Sequence, residues 1–399
     1  MLLMPPPWTA RVLLEAVAAM GTVCSLVFYL LSAFALASFL RDARGRRTQT
    51  PLPDSQLPPV SILKPLKGVD PEAWESFCSH CEQDYPQFQL IFGISDPCDP
   101  AAEVVRKLQT EYPNLPIDLI VCERIVGANI KVSNLAQMLP AARHELLLVN
   151  DSDIRVPADY LRKVITPLAD PGVGMVTCLY RGVPSHTLGS RLESLGISTD
   201  FAAGVLAARY LEGGIRFGLG STLAFRGADL HAIGGFETLV DYLADDYELG
   251  KRIADLGRRV VLSEVVVDTL LPAYDLKAFF QHQLRWGRAI RASRGWGYFG
   301  LLFTFGLPWA LLTVFATGGA PWAWGLLGTA LLLRLAVALA VGRGVLGDRQ
   351  LPGLLPLIPL RDAIAPLVWA ASFTSNTIVW RGESFVLKHG KLIRTNTPS

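Results

Sequence analysis

ELLLVNDSD, residues 145–153, is the stretch from which the fold class of this chain follows. Its apolar run, Leu146–Val149, is typical of a strand buried in a parallel sheet. The run ends in two carboxylates, Asp151 and Asp153, and open α/β sheets bind their ligands at the carboxyl ends of strands. Such a pair suits Mg²⁺ or Mn²⁺, which proteins hold through one or two carboxylates together with substrate phosphates. Acidic residues also end strands simply as turn formers. This stretch alone therefore does not distinguish a metal site from a turn.

Apolar residues are concentrated at the two ends of the chain. The 399 residues are 51% hydrophobic and 18% charged, whereas a typical soluble domain carries about 25% charge. From about Val12 to Leu40 the only charged residue is Glu15, and this length exceeds the roughly 20 residues that cross a bilayer. The arginine-rich residues 41–47 follow, which places the next region in the cytoplasm. We predict an uncleaved anchor over residues 1–47. The alternative, a cleaved signal peptide, would carry its basic residues before the apolar core.

Residues 297–380 form the second apolar region, for which we predict two to three membrane helices. The candidate spans are 299–318, 320–342 with Arg334 inside it, and 351–380 with Arg361 and Asp362 inside it. A complete third crossing would leave the basic residues of the 381–399 tail outside, against the charge rule. The third segment could instead lie in the interface, or dip in and return, and the residues alone leave these alternatives open.

Between the apolar ends, residues 60–296 are predicted to form a cytoplasmic α/β domain that follows a proline-rich linker, residues 48–59. The predicted strands are 60–63, 89–94, 117–122, 145–149 and 173–179, and the helices between them are 71–83, 101–112 and 130–139. This alternation predicts a mostly parallel sheet with helices on both faces. We expect Asp70 to cap the first of these helices and Pro71 to be its first residue. The net charge of +2 gives no sign of a nucleic-acid partner.

Polar residues recur where the predicted strands end. Lys64 follows predicted strand 60–63 and Asp96 follows predicted strand 89–94, as Asp151 and Asp153 follow strand 145–149. The chain contains no Gly-x-Gly-x-x-Gly or P-loop motif, which excludes the usual dinucleotide and P-loop sites. Cys78-x-x-Cys81 has no second pair of ligands to complete a zinc site. Acidic strand ends without a glycine-rich loop favour a metal-bound nucleotide-sugar.

Two features follow in the second half. The acidic run within Asp241–Gly250 is predicted to open a helix, where it compensates the helix dipole or supplies a general base whose pKa its neighbours raise. The second feature is His282-Gln-Leu-Arg285-Trp286, just before the apolar region. It is either an interfacial Arg–Trp anchor or a clamp on a diphosphate.

Taken in order, Asp96, Asp151-x-Asp153, Asp246 and Arg285-Trp286 resemble the D, D, D, (Q/R)xxRW pattern of inverting, membrane-bound family-2-like glycosyltransferases. Further motifs resemble the ceramide glucosyltransferase branch: Lys64-Pro-Leu-Lys-Gly-Val-Asp-Pro71, Asp84-Tyr-Pro86, Gly127-x-Asn129-x-Lys131-x-x-Asn134-Leu135, Asp151-Ser-x-Ile-Arg-Val156 and Asp245-Asp-Tyr247. The similarity runs from about residue 60 to 291. Size and membrane layout also resemble bacterial members that add N-acetylglucosamine to bacteriohopanetetrol in hopanoid synthesis.

The resemblance implies a GT-A fold and a role for each matching residue. Asp96 would hold the uridine end of the donor, and Asp151 and Asp153 the metal, Mg²⁺ or Mn²⁺. Asp246 would be the catalytic base. The remaining expected site residues are Arg285 and Trp286, which would close over diphosphate and acceptor, and Lys64, Lys131, Asp245 and His282, which would bind substrate. His282 stands where the pattern has Gln or Arg, and Asp153 where the ceramide enzymes have Gly, so the metal assignment is firmer for Asp151.

The implied reaction is inverting transfer of N-acetylglucosamine or glucose from a UDP-sugar to the hydroxyl of a membrane lipid. A hopanoid is the first expectation for the acceptor, and ceramide the alternative. The implied setting is a bacterial inner membrane with the catalytic domain in the cytoplasm. A processive polysaccharide synthase and a membrane-anchored binding protein with a degenerate transferase domain are the competing hypotheses. The first usually needs more membrane spans, and the complete acidic set argues against the second.

Overall fold

The computed structural model of the chain describes residues 7–47, 52–380 and 383–395. The α-helices are α1 (Pro7–Arg47), α2 (Ala73–Cys81), α3 (Ala101–Glu111), α4 (Ile130–Met138), α5 (Tyr160–Ile165), α6 (Leu188–Gly196), α7 (Ala202–Leu211), α8 (Gly227–Ala232), α9 (Asp245–Asp255), α10 (Leu276–Arg294), α11 (Trp296–Gly300), α12 (Gly306–Ala316), α13 (Pro321–Ala338), α14 (Leu351–Leu354) and α15 (Ile358–Ala371). The strands are β1 (Val60–Pro65), β2 (Phe88–Ile94), β3 (Ile117–Val121), β4 (Leu146–Val149), β5 (Ile154–Arg155), β6 (Val173–Val183), β7 (Leu223–Arg226), β8 (Arg259–Leu270), β9 (Thr377–Trp380), β10 (Glu383–Lys388) and β11 (Lys391–Arg394). Residues 48–51 of the predicted linker, and 381–382 and 396–399 of the predicted tail, lie outside the described residues.

The chain divides into two compact units. The helical unit comprises Met1–Arg41, Leu195–Tyr210 and Leu276–Ser375, and the sheet unit comprises Asp42–Ser194, Leu211–Asp275 and Asn376–Ser399. Each unit is therefore assembled from segments that are distant in sequence. The division differs from the predicted domain bounds: residues 195–210 and 276–296 belong with the apolar helices, and residues 42–47 and the C-terminal strands belong with the sheet.

The sheet unit is built on an eight-stranded mixed sheet with the strand order β3-β2-β1-β4-β7-β6-β8-β5. Strands β3, β2, β1 and β4 are mutually parallel. Every residue of β1, β2 and β4 is buried, as expected of central parallel strands that helices cover. The predicted mostly parallel α/β sheet is confirmed for this half, and the carboxyl ends of β1, β2 and β4 lie at one edge.

The other half of the sheet departs from the parallel prediction. Strand β7 runs antiparallel to both β4 and β6. It is only four residues long, which is too short for the periodicity of its apolar residues to predict a strand. Its direction brings the residues that precede it, 218–222, to the edge where β4 ends, because Leu223 pairs with Val149.

Two predicted helix starts are wrong. Helix α2 begins at Ala73 after Glu72, whose φ is +50°, and no side chain caps it. Asp70, the predicted cap, instead accepts a hydrogen bond of 2.5 Å from the Ser152 hydroxyl. Helix α9 begins at Asp245, so residues 241–244 form a separate loop before it. That loop is held by tertiary contacts, which the acidic composition alone did not indicate.

The C-terminal segment forms a three-stranded antiparallel sheet, β11-β10-β9. Its Phe385 and Leu392 pack with Ala128, and Leu243 lies against this apolar cluster. Strands β10 and β11 thus occupy most of the region predicted to be a tail, and they are anchored on the sheet unit.

Three helical stretches in the described residues are long and apolar enough to cross a membrane, namely Ala10–Gly45, Pro321–Val345 and Leu351–Ala371. A fourth candidate is the pair Trp296–Thr304 and Gly306–Ala316, which is bent by 60°. Arg334 and Asp362, which lie inside two of these stretches, form an ion pair with each other. Arg334 donates to Asp362 at 2.9 Å and to Asp200 at 2.6 Å. Pairing is the usual condition on which charged side chains are tolerated among membrane helices.

Candidate active site

Three elements of the sheet unit bring charged side chains together at the carboxyl edge of the sheet. Asp151 follows β4, Asp245 and Asp246 begin α9, and Lys131 lies in the first turn of α4. We call Asp151, Asp245, Asp246 and Lys131 the charge cluster. Its members come from three segments of the chain, around residues 131, 151 and 245, so no single local motif contains them all.

Lys131 lies between two of the carboxylates. Its Nζ is 2.7 Å from Asp151 Oδ1 and 3.1 Å from Asp245 Oδ2, and its side chain is only 13% exposed. Burial alone would lower the pKa of Lys131, but Asp151, Asp245 and Asp246 together raise it above its ordinary value. Lys131 is therefore a fixed cation, and it offsets the repulsion between carboxylates that would otherwise oppose one another.

Asn129 explains how α4 delivers Lys131 to this position. Its side-chain oxygen accepts from Val132 N and caps the helix. Its Nδ2 donates to the Tyr242 carbonyl at 2.8 Å and to Asp245 Oδ1 at 3.2 Å. One buried amide thus fixes the start of α4 and the approach to α9 together.

Asp246 is the member of the cluster best suited to accept a proton. Its Oδ2 accepts from Gly220 N at 2.7 Å and its Oδ1 from Tyr247 N at 2.8 Å. Burial and the neighbouring Asp245 raise the pKa of Asp246 to about 6, although Lys131 offsets part of the rise. The carboxylate is held in one orientation and titrates near neutral pH, which is the condition for an efficient general base.

Gly220 lies between two carboxylates of the cluster. A Cβ at this position would be 2.7 Å from Asp151 Oδ2 and 3.3 Å from Asp246 Oδ2. The antiparallel direction of β7 places Gly220 here, and the missing side chain leaves room for both oxygens.

Gly220→Ala is therefore expected to reduce turnover by about 10- to 100-fold, because displacing reacting groups by roughly 1 Å has effects of that size. Steady-state turnover of the purified variant is the measurement. Gly227→Ala is the matched control, since its Cβ would meet only the Glu145 carbonyl oxygen, at 3.4 Å. Equal turnover in the two variants would contradict the crowding argument.

Asp153 lies deeper than Asp151. Its Oδ2 accepts a 2.5 Å hydrogen bond from the Thr269 hydroxyl. Burial and the charge of Asp151 raise the pKa of Asp153 to about 6. Of the two carboxylates predicted to bind metal, Asp151 is the more accessible, with a side chain that is 39% exposed.

The protein residues fit a divalent cation that is shared with a diphosphate. Within residues 7–47, 52–380 and 383–395, no group of three or more His, Cys, Asp or Glu side chains forms a metal cage. Mg²⁺ and Mn²⁺ need only one or two carboxylates when substrate phosphates supply other ligands. Asp151, with Asp153 behind it, provides that donor set.

Lys64 occupies a position different from the one expected of a substrate-binding residue. It is fully buried, and its Nζ donates to the Asp151 carbonyl at 2.9 Å and lies 3.5 Å from His80 Nε2. Burial lowers the pKa of Lys64 to about 7, although Asp153 and Asp151 offset part of the drop. In this structure Lys64 supports the main chain that presents Asp151, and it does not face solvent.

Asp96 follows β2 at the same edge of the sheet and is exposed. Its Oδ1 accepts from Cys98 N at 2.8 Å, which closes a short turn. This turn leaves the other carboxylate oxygen available, and the role of Asp96 at the uridine end of a donor stays a prediction.

His282, Arg285 and Trp286 lie on α10, in the helical unit. The rings of His282 and Trp286 have centroids 5.1 Å apart, and the Phe201 ring is 6.1 Å from that of Trp286. The helix therefore presents an aromatic face around Trp286. Closure of Arg285 and Trp286 over a diphosphate stays a prediction.

Sequence reasoning missed the contribution of the C-terminal sheet to this region. A small cavity beside Lys131 is lined also by Lys67, Trp380, Glu383 and Phe385. Residues 384–393 contain only two short apolar runs, Phe385–Leu387 and Leu392–Ile393, on either side of His389-Gly390. Runs of this length do not distinguish a strand from a loop.

Comparison with known proteins places the chain in a family. The profile of glycosyl transferase family 21 matches residues 18–393. Ceramide glucosyltransferase 1 of Caenorhabditis elegans is 26% identical in an alignment of 361 residues that covers 87% of this chain and 75% of the relative. Ceramide glucosyltransferase 3 of the same organism is 26% identical over 294 residues, 71% of this chain and 63% of the relative. Ceramide glucosyltransferase of Candida albicans is 31% identical in an alignment of 121 residues that covers 27% of this chain and 22% of the relative.

Among solved structures, a mannosyltransferase from Pyrobaculum calidifontis in complex with GDP-Man and Mn2+ has a TM-score of 0.48 and 22% identity, covering 89% of this chain and 99% of that one. S. aureus TarS 1–349 in complex with UDP has a TM-score of 0.36 and 14% identity, covering 83% and 97%. The expected fold, a GT-A domain with a mostly parallel sheet and apolar helices at both ends of the chain, is confirmed. The chain belongs to glycosyl transferase family 21 and is a glycosyltransferase.

Proposed function

We propose that this glycosyltransferase moves a sugar from a UDP-sugar to a hydroxyl of a membrane lipid, with inversion at the anomeric carbon. The observation that carries the proposal is the charge cluster. It joins an accessible carboxylate after β4, a fixed lysine, and an oriented carboxylate with a pKa of about 6. That set combines diphosphate binding with proton removal, and the relatives named as ceramide glucosyltransferases act on a lipid.

In the proposed reaction Asp246 accepts the proton of the lipid hydroxyl while the hydroxyl oxygen bonds to the anomeric carbon. The bond from that carbon to the diphosphate breaks, and UDP leaves with the electron pair. Asp246 is prepared for this step because two backbone N–H groups fix its carboxylate. Lys131 keeps Asp151 and Asp245 in place through the reaction.

Asp151 and Asp153 are the residues that would hold Mg²⁺ or Mn²⁺. A divalent cation bound there would neutralise charge that develops on the leaving diphosphate. Asp96, at the end of β2, would hold the uridine, and Arg285 and Trp286 would close the site.

The proposed acceptor is a hopanoid of the bacteriohopanetetrol type, with ceramide as an equally supported alternative. Both are amphiphiles that present a hydroxyl near the membrane surface. The proposed donor is UDP-N-acetylglucosamine or UDP-glucose. The proposed location is a bacterial inner membrane with the sheet unit in the cytoplasm, since basic residues are concentrated at the ends of α1 and α10.

The proposal is tested with protein purified in detergent or nanodiscs and supplied with each UDP-sugar and each lipid. UDP release and the mass of the lipid product are measured together, and a mass increase of one sugar is the expected result. Stepwise addition of many sugars would favour a processive synthase. UDP release that no lipid stimulates would contradict the lipid acceptor.

The pKa of Asp246 predicts how transfer depends on pH. Asp246 must be unprotonated to act, so the rate is expected to rise about tenfold per pH unit below pH 6 and to level off above about pH 7. The measurement is kcat/KM for the lipid between pH 5 and 8. Burial also raises the pKa of Asp153 to about 6. The same profile is therefore recorded for Asp153→Asn, and kcat/KM of this variant should still fall below about pH 6 if Asp246 is the titrating group. A flat profile in the wild-type protein would exclude a base with this pKa.

A further inference from the structure

The loop before α9, residues 241–244, is held by the turn and final strand of the C-terminal sheet. Leu392 N donates to the Asp241 carbonyl at 2.6 Å, and Leu243 N donates to the Gly390 carbonyl at 3.1 Å. Tyr242 forms an isolated antiparallel bridge with Lys391. The loop therefore extends the C-terminal sheet by main-chain hydrogen bonds, and its path is set by residues about 150 positions later in the chain.

Side chains reinforce the same junction. The Lys391 ammonium and the Arg252 guanidinium lie 5.3 Å and 5.2 Å from the centroid of the Tyr242 ring. Such contacts between a cation and an aromatic face are favourable. His389 and Gly390, with φ of +49° and +78°, form the two-residue turn between β10 and β11, and positive φ at both positions is the geometry of tight hairpins.

The loop is also linked directly to the charge cluster. Asn129 Nδ2 donates to both the Tyr242 carbonyl and Asp245 Oδ1, and Asp241 Oδ1 accepts from Ala128 N at 3.0 Å. A displacement of the loop would therefore move Asp245 and the first turn of α9, where Asp246 lies. Residues 241–244 directly precede the first turn of α9 in the chain.

We propose that the C-terminal sheet is a positioning element for the catalytic base: its β10–β11 hairpin, acting through Tyr242 and Leu243, fixes the register of α9 and with it the carboxylate of Asp246. This inference rests on the proposed lipid glycosyl transfer and adds to it a segment outside the known acidic motifs. Tyr242 and Leu392 are positioning residues, because they reach the reaction only through the loop.

Two matched pairs of variants test the proposal. Leu392 is buried in the apolar cluster with Phe385, whereas the adjacent Ile393 is 49% exposed on the opposite face of the strand. Leu392→Ala should lower kcat about 10- to 100-fold, an effect typical of a small misplacement, and Ile393→Ala should leave it within about twofold of wild type. Tyr242→Leu should lower kcat to a similar degree. Tyr242→Phe keeps the aromatic ring, so its kcat should stay close to that of the wild type.

The readouts separate positioning from general damage. Each kcat is normalised to the fraction of folded protein, measured by thermal unfolding, and the KM for the UDP-sugar is measured in parallel. A fall in normalised kcat with an unchanged donor KM is the expected result. Unchanged kcat in Tyr242→Leu and Leu392→Ala, or equal losses in Leu392→Ala and Ile393→Ala, would overturn the proposal.

Two controls keep the outcome decisive. If Leu392→Ala does not fold, Tyr242→Leu decides alone, because Tyr242 lies outside the apolar cluster. Transfer by the wild-type protein is established first. Its failure would reject the proposed function, whereas wild-type transfer with unaffected variants would reject only the positioning role.

Discussion

Replacing Asp246 by Asn is expected to lower lipid glycosylation by about 10²- to 10⁴-fold, the range associated with loss of a general base. The amide has nearly the same shape as the carboxylate and can still accept a hydrogen bond from Gly220 N. It cannot accept the proton of the attacking hydroxyl. Affinity for the UDP-sugar should therefore remain close to that of the wild type. The measurements are turnover by lipid mass and donor binding by calorimetry.

The matched control is Glu248→Gln on the same helix. Glu248 also lies in the first turn of α9, but its carboxylate faces Arg252, with 3.6 Å between Oε2 and Nε. Loss of the same formal charge there should leave turnover within about twofold, because Glu248 lies outside the charge cluster and an i,i+4 ion pair on a helix contributes only about 0.3–0.5 kcal/mol. Retained turnover in Asp246→Asn, or a comparable loss in Glu248→Gln, would reject the assignment of the base.

Replacing Lys131 by Met is expected to have the largest effect on stability. The change leaves Asp151 and Asp245 facing each other without a cation. Removing one partner of a buried ion pair lowers the free energy of unfolding by about 3–5 kcal/mol. Because the Asp151 side chain is 39% exposed and therefore screened by water, we expect the lower end, about 3 kcal/mol. Thermal unfolding in detergent, at pH 7.5 and without divalent cations, is the measurement.

Divalent cations provide the second half of this test. If Asp151 binds metal, Mg²⁺ or Mn²⁺ should stabilise Lys131→Met more than the wild type, because the metal then replaces the missing positive charge. Lys107→Met is the control: Lys107 lies over the Trp74 ring, with Nζ 4.1 Å from its centroid, and is exposed. A Lys131→Met protein as stable as Lys107→Met, with or without cations, would contradict the proposed role of this lysine.

The sequence predicted the half of the fold that is governed by continuous apolar runs. Strands β1, β2 and β4 are buried along their whole length, so their residues show the run that a parallel sheet requires. Strand β7 and the C-terminal strands are short or half-exposed, and nothing local distinguishes them from loop. The departure from a parallel sheet was therefore invisible until the tertiary pairing was known.

The same contrast applies to the site. Asp151 was identifiable because it ends a recognisable strand, and Asp246 because of its place in a family pattern. The bridging position of Lys131 depends on how α4 and α9 approach each other through Asn129. The pKa of Asp246 depends on the same packing, because Asp245 and Lys131 both shift it. Gly220 reaches the cluster only because β7 is antiparallel. Distances of this kind are set by long-range packing, which composition and spacing do not encode.

The attachment of β9–β11 to the sheet unit constrains how the chain is threaded through the bilayer. The chain leaves the sheet unit after Asp275 and rejoins it at Asn376. If the intervening segment crosses a membrane, both of its ends lie on the side that carries the sheet unit, and the number of complete crossings is even. Pro321–Val345 and Leu351–Ala371 supply one outward and one return passage, in which case the bent pair Trp296–Thr304 and Gly306–Ala316 enters and leaves by the same face. The basic residues of β10 and β11 then remain beside the sheet, which removes the conflict with the charge rule that a third crossing would create.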